Sequence, residues 1–111
     1  MATVKSHTDL EQSKKLAEIL PLESADMFLA MNGTLPVMSK YIDSGFVTAD
    51  ESAIPCWSLA ALLDVLPSAT LDSSGDHYYR LHCMERFTEW YDNPVDACVA
   101  MIEKLHKLNL L

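Results

Sequence analysis

Residues 92–111 read DNPVDACVAMIEKLHKLNLL, and the folding of this stretch decides what the rest of the chain must do. Asn93, or Asp92 before it, can cap a helix. Pro94 suits the first helical position, where an N–H would have no intrahelical partner. Asp96 falls in the first turn, and Lys104, His106 and Lys107 fall toward the far end, so each charge sits where the helix dipole favours it. Val95, Cys98, Val99, Ile102 and Leu105 step by three and four into one apolar stripe, flanked by Met101 and Leu108. The spacing predicts a helix whose stripe the remainder of the chain has to cover.

Immediately before it, residues 77–84 and 87–91 are rich in Tyr, Phe, Trp and Leu, which suit a pleated, half-buried surface. Alternation puts Tyr79, Leu81 and Cys83 on one face and Tyr78, Arg80 and His82 on the other. The link Glu85-Arg86 reads as a short turn without Gly, which leaves the register open. Residues 68–76 read as a polar, turn-rich link. Leu59, Leu62, Leu63 and Leu66 occupy i, i+3, i+4 and i+7 of a second helix, introduced by Ile54-Pro55-Cys56-Trp57-Ser58 and ended by Pro67.

The N-terminal half repeats the order. Residues 1–7 are polar and expected to fray. Thr8-Asp9-Leu10-Glu11 matches a capping box with Thr8 as N-cap, opening a helix that runs to Leu20 and stops before Pro21. Leu16, Ile19 and Leu20 form its buried edge, helped by Leu10 and Ala17, while Lys14, Lys15 and Glu18 face water. Residues 25–31 and 35–42 flank Asn32-Gly33, a strong hairpin cue. Val37, Met38, Tyr41 and Ile42 also fit a short helix stopped by Gly45, and Pro36 makes the second strand an edge. Residues 43–53 read as a loop with an apolar touch at Phe46-Val47. The expected architecture is a single α+β domain over residues 1–111, ordered αββαββα. In it a four-stranded antiparallel sheet carries its helices on one face.

Length and composition agree. A chain of 111 residues can bury roughly 65% of its unfolded surface and needs no metal or disulfide to fold. Half the residues are hydrophobic, which argues against disorder. The net charge of −8 lies wholly in residues 41–100, which hold 2 basic and 10 acidic residues. Such a balance disfavours nucleic acid and anionic membranes as partners, because phosphate attraction depends on Lys and Arg. Three widely spaced cysteines, no secretion signal and no apolar run of spanning length predict free thiols in a reducing cytoplasm.

Three blocks, SKKLAEILPLESADM from Ser13, IPCWSLAALLDVLP from Ile54 and DNPVDACVAMIEKLH from Asp92, cover about two fifths of the chain. They resemble a group of short uncharacterised proteins from gut-anaerobe genomes, often in prophage-like or mobile regions. The resemblance implies a bacterial or phage origin inside the cell and carries no activity and no functional residues.

No motif commits to chemistry. His77, His82, Cys83, Cys98 and His106 are possible metal ligands but make no ligand spacing, and Cys83 and Cys98 read as small core residues. Cys56 near a helix start has no base or oxyanion hole beside it in the sequence pattern. The acids Asp50, Glu51, Asp72, Asp76, Glu85, Glu89, Asp92 and Asp96 are too scattered to select a catalytic pair. No cofactor is expected.

Among Trp57, Tyr78, Tyr79, Phe87, Trp90 and Tyr91, only one of the two adjacent tyrosines can face inward on a regular strand. The outer face, with Tyr78, Arg80, His82 and Trp90, is therefore the candidate contact surface for a partner protein or a second copy. The expectation is a non-enzymatic interaction module using that face or an edge strand. An acidic mimic of nucleic acid, and a small enzyme or ligand binder with a pocket between sheet and helices, are the alternatives.

Overall fold

The computed structural model describes residues 6–30, 35–38, 54–75 and 77–111. Among the described residues, three α-helices, a 3-10 turn (Leu22–Ser24) and six short strands are found, the helices and strands in the order α1 (Leu10–Ile19), β1 (Met27–Ala30), β2 (Leu35–Met38), β3 (Ile54–Cys56), α2 (Leu59–Val65), β4 (Thr70–Ser73), β5 (Tyr79–Cys83), β6 (Arg86–Phe87) and α3 (Pro94–Lys107). The class is α+β, as the periodicities predict.

The sheet arrangement departs from the expected single four-stranded sheet. The described strands form two antiparallel three-stranded sheets, ordered β2-β1-β3 and β4-β5-β6. Two segments read as connectors cause the difference. Ile54-Pro55-Cys56 pairs with β1, and Thr70–Ser73 pairs with β5. Each hairpin thus gains a third strand of its own.

Both outer strands of the first sheet carry a proline. Neighbouring residues of a central strand turn their N–H and C=O groups to opposite sides. Pro36 lies opposite Leu29 on one side and Pro55 opposite Phe28 on the other. The parity that spares Pro36 a ladder bond therefore also spares Pro55 one, and both rings are tolerated at edges. The hairpin turn itself, the short-helix alternative beyond Met38 and the loop 43–53 lie outside the described residues.

Helix α1 starts one residue later than expected. Asp9 is the N-cap, its Oδ1 accepting the Gln12 N–H at 2.8 Å, while Gln12 Oε1 accepts the Asp9 N–H at 3.1 Å. Thr8 is buried instead, because its Oγ1 accepts the Trp57 N–H at 3.1 Å and bonds Ser13 Oγ at 2.8 Å. Of the residues expected to fray, 1–5 lie outside the described residues, and 6 and 7 are tied down. Thr8 N–H donates to the Trp57 carbonyl, Leu59 N–H donates to the Ser6 carbonyl, and His7 bridges to Ser58.

Trp57 sits at this junction with no exposed surface, its Nε1–H donating to Ser24 Oγ at 2.9 Å. Ser58 caps α2, its Oγ accepting the Ala61 N–H and donating to the Asp26 carboxylate.

Helix α3 forms as its sequence dictates. Asn93 Oδ1 accepts the Asp96 N–H at 2.8 Å, and Pro94 opens the first turn. At the far end Asn109 takes a left-handed φ of 58°, Asn109 N–H donates to the His106 carbonyl and Leu110 N–H to the Leu105 carbonyl. These two bonds satisfy carbonyls that the helix end would otherwise strand. Val95, Cys98, Val99, Met101, Ile102 and Leu105 are buried. They meet Leu81 and Cys83 of β5, Leu62 and Leu66 of the α2 segment and Leu16 of α1 in one core cluster. Asp96 also accepts Gln12 Nε2–H at 2.7 Å, tying α3 to α1.

Candidate functional site

The outer face of the β4-β5-β6 sheet is set by two local backbone devices. The first is the hairpin turn. Cys83 pairs with Arg86, so the turn is Met84-Glu85 and not Glu85-Arg86 as the spacing suggested. Both turn residues have positive φ, 52° and 64°, the conformation a two-residue hairpin needs to match strand twist.

The second device is a bulge. Thr88 N–H donates to the Leu81 carbonyl at 2.9 Å, and two residues of β5 earlier Tyr79 and Tyr91 exchange bonds of 2.7 and 2.8 Å. Glu89 and Trp90 therefore both lie opposite Arg80, two residues against one. Thr88 Oγ1, not a carbonyl, accepts the Leu81 N–H at 2.9 Å and then donates to the Glu89 carbonyl. An unbulged ladder would pair Trp90 with Tyr79 and turn it toward the core. The extra residue turns it outward.

The result is an interdigitated stack. The His82 ring lies on Phe87 with centroids 4.3 Å apart and planes 8° from parallel. The Arg80 guanidinium lies over Phe87 at 4.3 Å and over Trp90 at 4.7 Å. Trp90 and Tyr78, 46% and 49% exposed, line an open hollow of about 300 Å³ together with Ser74. Across the sheet Asp72 stands opposite Arg80 and accepts from Nη2 at 3.2 Å. Such a half-exposed pair is worth little on its own. Arg80 Nε is buried and has no hydrogen-bond partner.

Tyr78, Arg80, His82 and Trp90, selected from the sequence, thus lie on one surface. Phe87 sits between His82 and Arg80, a fifth member of the face that residue type and alternation do not single out. Only the register could have placed it there, and the register depends on the turn.

Other chemistry is poorly served. Burial, then the Asp26 carboxylate, pushes the Cys56 thiol from its ordinary 9.0 up to about 12. Burial alone takes Cys98 to about 12 and raises Cys83. A thiolate nucleophile is disfavoured at all three positions. Because the unfolded chain ionises first, stability is full below pH 9.0 and falls as pH rises through the window up to about 12. At neutral pH the native thiols are expected to resist Ellman's reagent until urea is added. The urea midpoint should drop as pH passes 9.0, and less steeply in a Cys56→Ala/Cys98→Ala variant.

Among the described residues no three His, Cys, Asp or Glu side chains gather into a metal-binding group, and no helix is long and apolar enough to cross a membrane. Two further open hollows, about 350 Å³ between α1 and α3 and about 250 Å³ between the β6 region and α3, are not lined by His77, His82 or Cys56. Comparison with protein-family models, with curated proteins and with solved structures returned no match.

Proposed function

We propose that this chain is a non-enzymatic, intracellular binding module that recognises another protein through the outer face of the β4-β5-β6 sheet. One observation carries the reading. The bulge opposite Arg80 displaces Trp90 to the surface, where it stacks with Arg80 beside a second exposed aromatic, Tyr78. The arrangement leaves three large rings, Tyr78, Phe87 and Trp90, about half exposed and gives the buried Arg80 Nε no hydrogen-bond partner. Breaking local rules without a structural return marks a site, and Trp, Tyr and Arg are the residue types that dominate binding energy at protein interfaces. The buried, unpaired thiols suit a reducing compartment.

The test is affinity capture from native extract with wild type and a Tyr78→Ala/Trp90→Ala variant. Both positions are about half exposed, so the variant should stay folded, with a urea midpoint close to wild type. A partner recovered by wild type and lost by the variant supports the reading. A partner retained by the variant contradicts it, and if that partner binds DNA, it favours the acidic-mimic alternative.

A further inference from the structure

We infer that the segment seated on this face is a proline-rich peptide flanked by Lys or Arg. The inference deepens the reading above and rests on it. The hollow between Tyr78 and Trp90 is open, and among the described residues Ser74 and the two rings line it. A ligand lying on so few walls makes few contacts to offset its lost freedom, so it must be stiff before it binds. A polyproline II segment meets that condition, and its rings lie flat against exposed aromatic faces. It also leaves its carbonyls unbonded, and the Trp90 indole N–H and Tyr78 hydroxyl are donors of the matching kind.

Charge selects the flanks. Residues 70–92 hold five acidic residues against two basic ones. Both basic groups are engaged within the chain, Arg80 with Asp72 and Arg86 Nη1 with the Met84 carbonyl, and Lys104, reaching in from α3, donates to the Phe87 carbonyl. Glu85, Glu89 and Asp92, each within two residues of Phe87 or Trp90 along the chain, are exposed. That field attracts a cationic peptide and repels nucleic acid. A second copy of this chain would set the same acid-rich face against itself. A neutral sugar could stack on the rings but would leave the charge without a role.

The full chain, labelled with nitrogen-15, is titrated by NMR with a short proline peptide flanked by arginines. Parallel titrations use the same peptide flanked by glutamates, an arginine-flanked glycine–serine peptide and a neutral oligosaccharide. The first probe should shift the Trp90 indole and the Tyr78 amide saturably, leave the buried Trp57 indole unmoved and weaken with added salt. Trp90→Ala should cost at least about tenfold in affinity.

Equal binding of the glutamate-flanked or the glycine–serine peptide overturns the inference, as does binding of the oligosaccharide alone. A random-peptide display selection separates the two levels. Selected peptides that shift the Trp90 indole but lack proline overturn the inference and leave the protein-binding reading standing. If no peptide moves that resonance, both fall.

Discussion

Replacing Trp57 with alanine is expected to remove about 4 kcal/mol of stability, a large part of the 5–15 kcal/mol that a domain has in total. The indole has no exposed surface, so truncation leaves a cavity that its neighbours fill only in part. It also removes the bond that Ser24 Oγ accepts from Nε1. The position matters as much as the volume. The main chain of Trp57 exchanges two bonds with Thr8, and it connects β3 to the cap of α2. A looser indole site therefore loosens the N-terminal segment, the first sheet and α2 together. Urea titration followed by circular dichroism measures the loss. Trp57→Phe, which keeps most of the packing and gives up only the hydrogen bond, should lose about 1–2 kcal/mol. A loss below about 1 kcal/mol for the alanine variant would mean that the indole is not the centre of this junction.

The second large effect has the opposite sign. Met84 and Glu85 hold φ of 52° and 64°, a region that costs ordinary L-residues roughly 1–2 kcal/mol each. Asn followed by Gly adopts both conformations readily. Met84→Asn with Glu85→Gly should therefore stabilise the protein by about 2 kcal/mol, which raises Tm by roughly 9 °C at this chain length. Met84 and Glu85 are exposed, so little packing is lost in exchange. A differential scanning calorimetry trace with unchanged or lower Tm would show that the turn is not of this type. A higher Tm with weaker partner binding would show that the strained turn itself serves the site.

These two positions also show what was legible in advance. Helix α3 was readable almost residue by residue, because cap, dipole charges and apolar stripe all name the same element. The inner and outer faces of β5 followed from alternation alone, with Leu81 and Cys83 buried and Tyr78 exposed. The sheet partners were not readable. Thr70-Leu71-Asp72-Ser73 has a turn-like composition and becomes an edge strand only because β5 offers it a ladder. Ile54-Pro55-Cys56 looks like a helix approach because proline hides a strand whose edge position tolerates it. Thr8 matched a cap motif, yet its hydroxyl found the Trp57 amide, a partner 49 residues away that no local pattern encodes.

For the site, the chemistry was visible and the geometry was not. Tyr78, Arg80, His82 and Trp90 are selected by residue type and parity. The stack through Phe87 depends on a two-residue turn lacking Gly and on the Thr88 hydroxyl standing in for a carbonyl. Neither leaves a pattern that sequence periodicity detects, since a bulge breaks the alternation on which strand reading relies.

The account stands on the bulge that turns Trp90 outward. The chain has two tryptophans, so Trp57→Phe leaves Trp90 as the only indole and Trp90→Phe leaves Trp57. Acrylamide quenching of the two variants, each shown to be folded, measures both environments. The Trp90 signal is expected to be red-shifted and readily quenched, and the Trp57 signal blue-shifted and protected. A Trp90 signal as protected as that of Trp57 would mean an unbulged strand with the ring turned to the core, and the outer binding face would not exist.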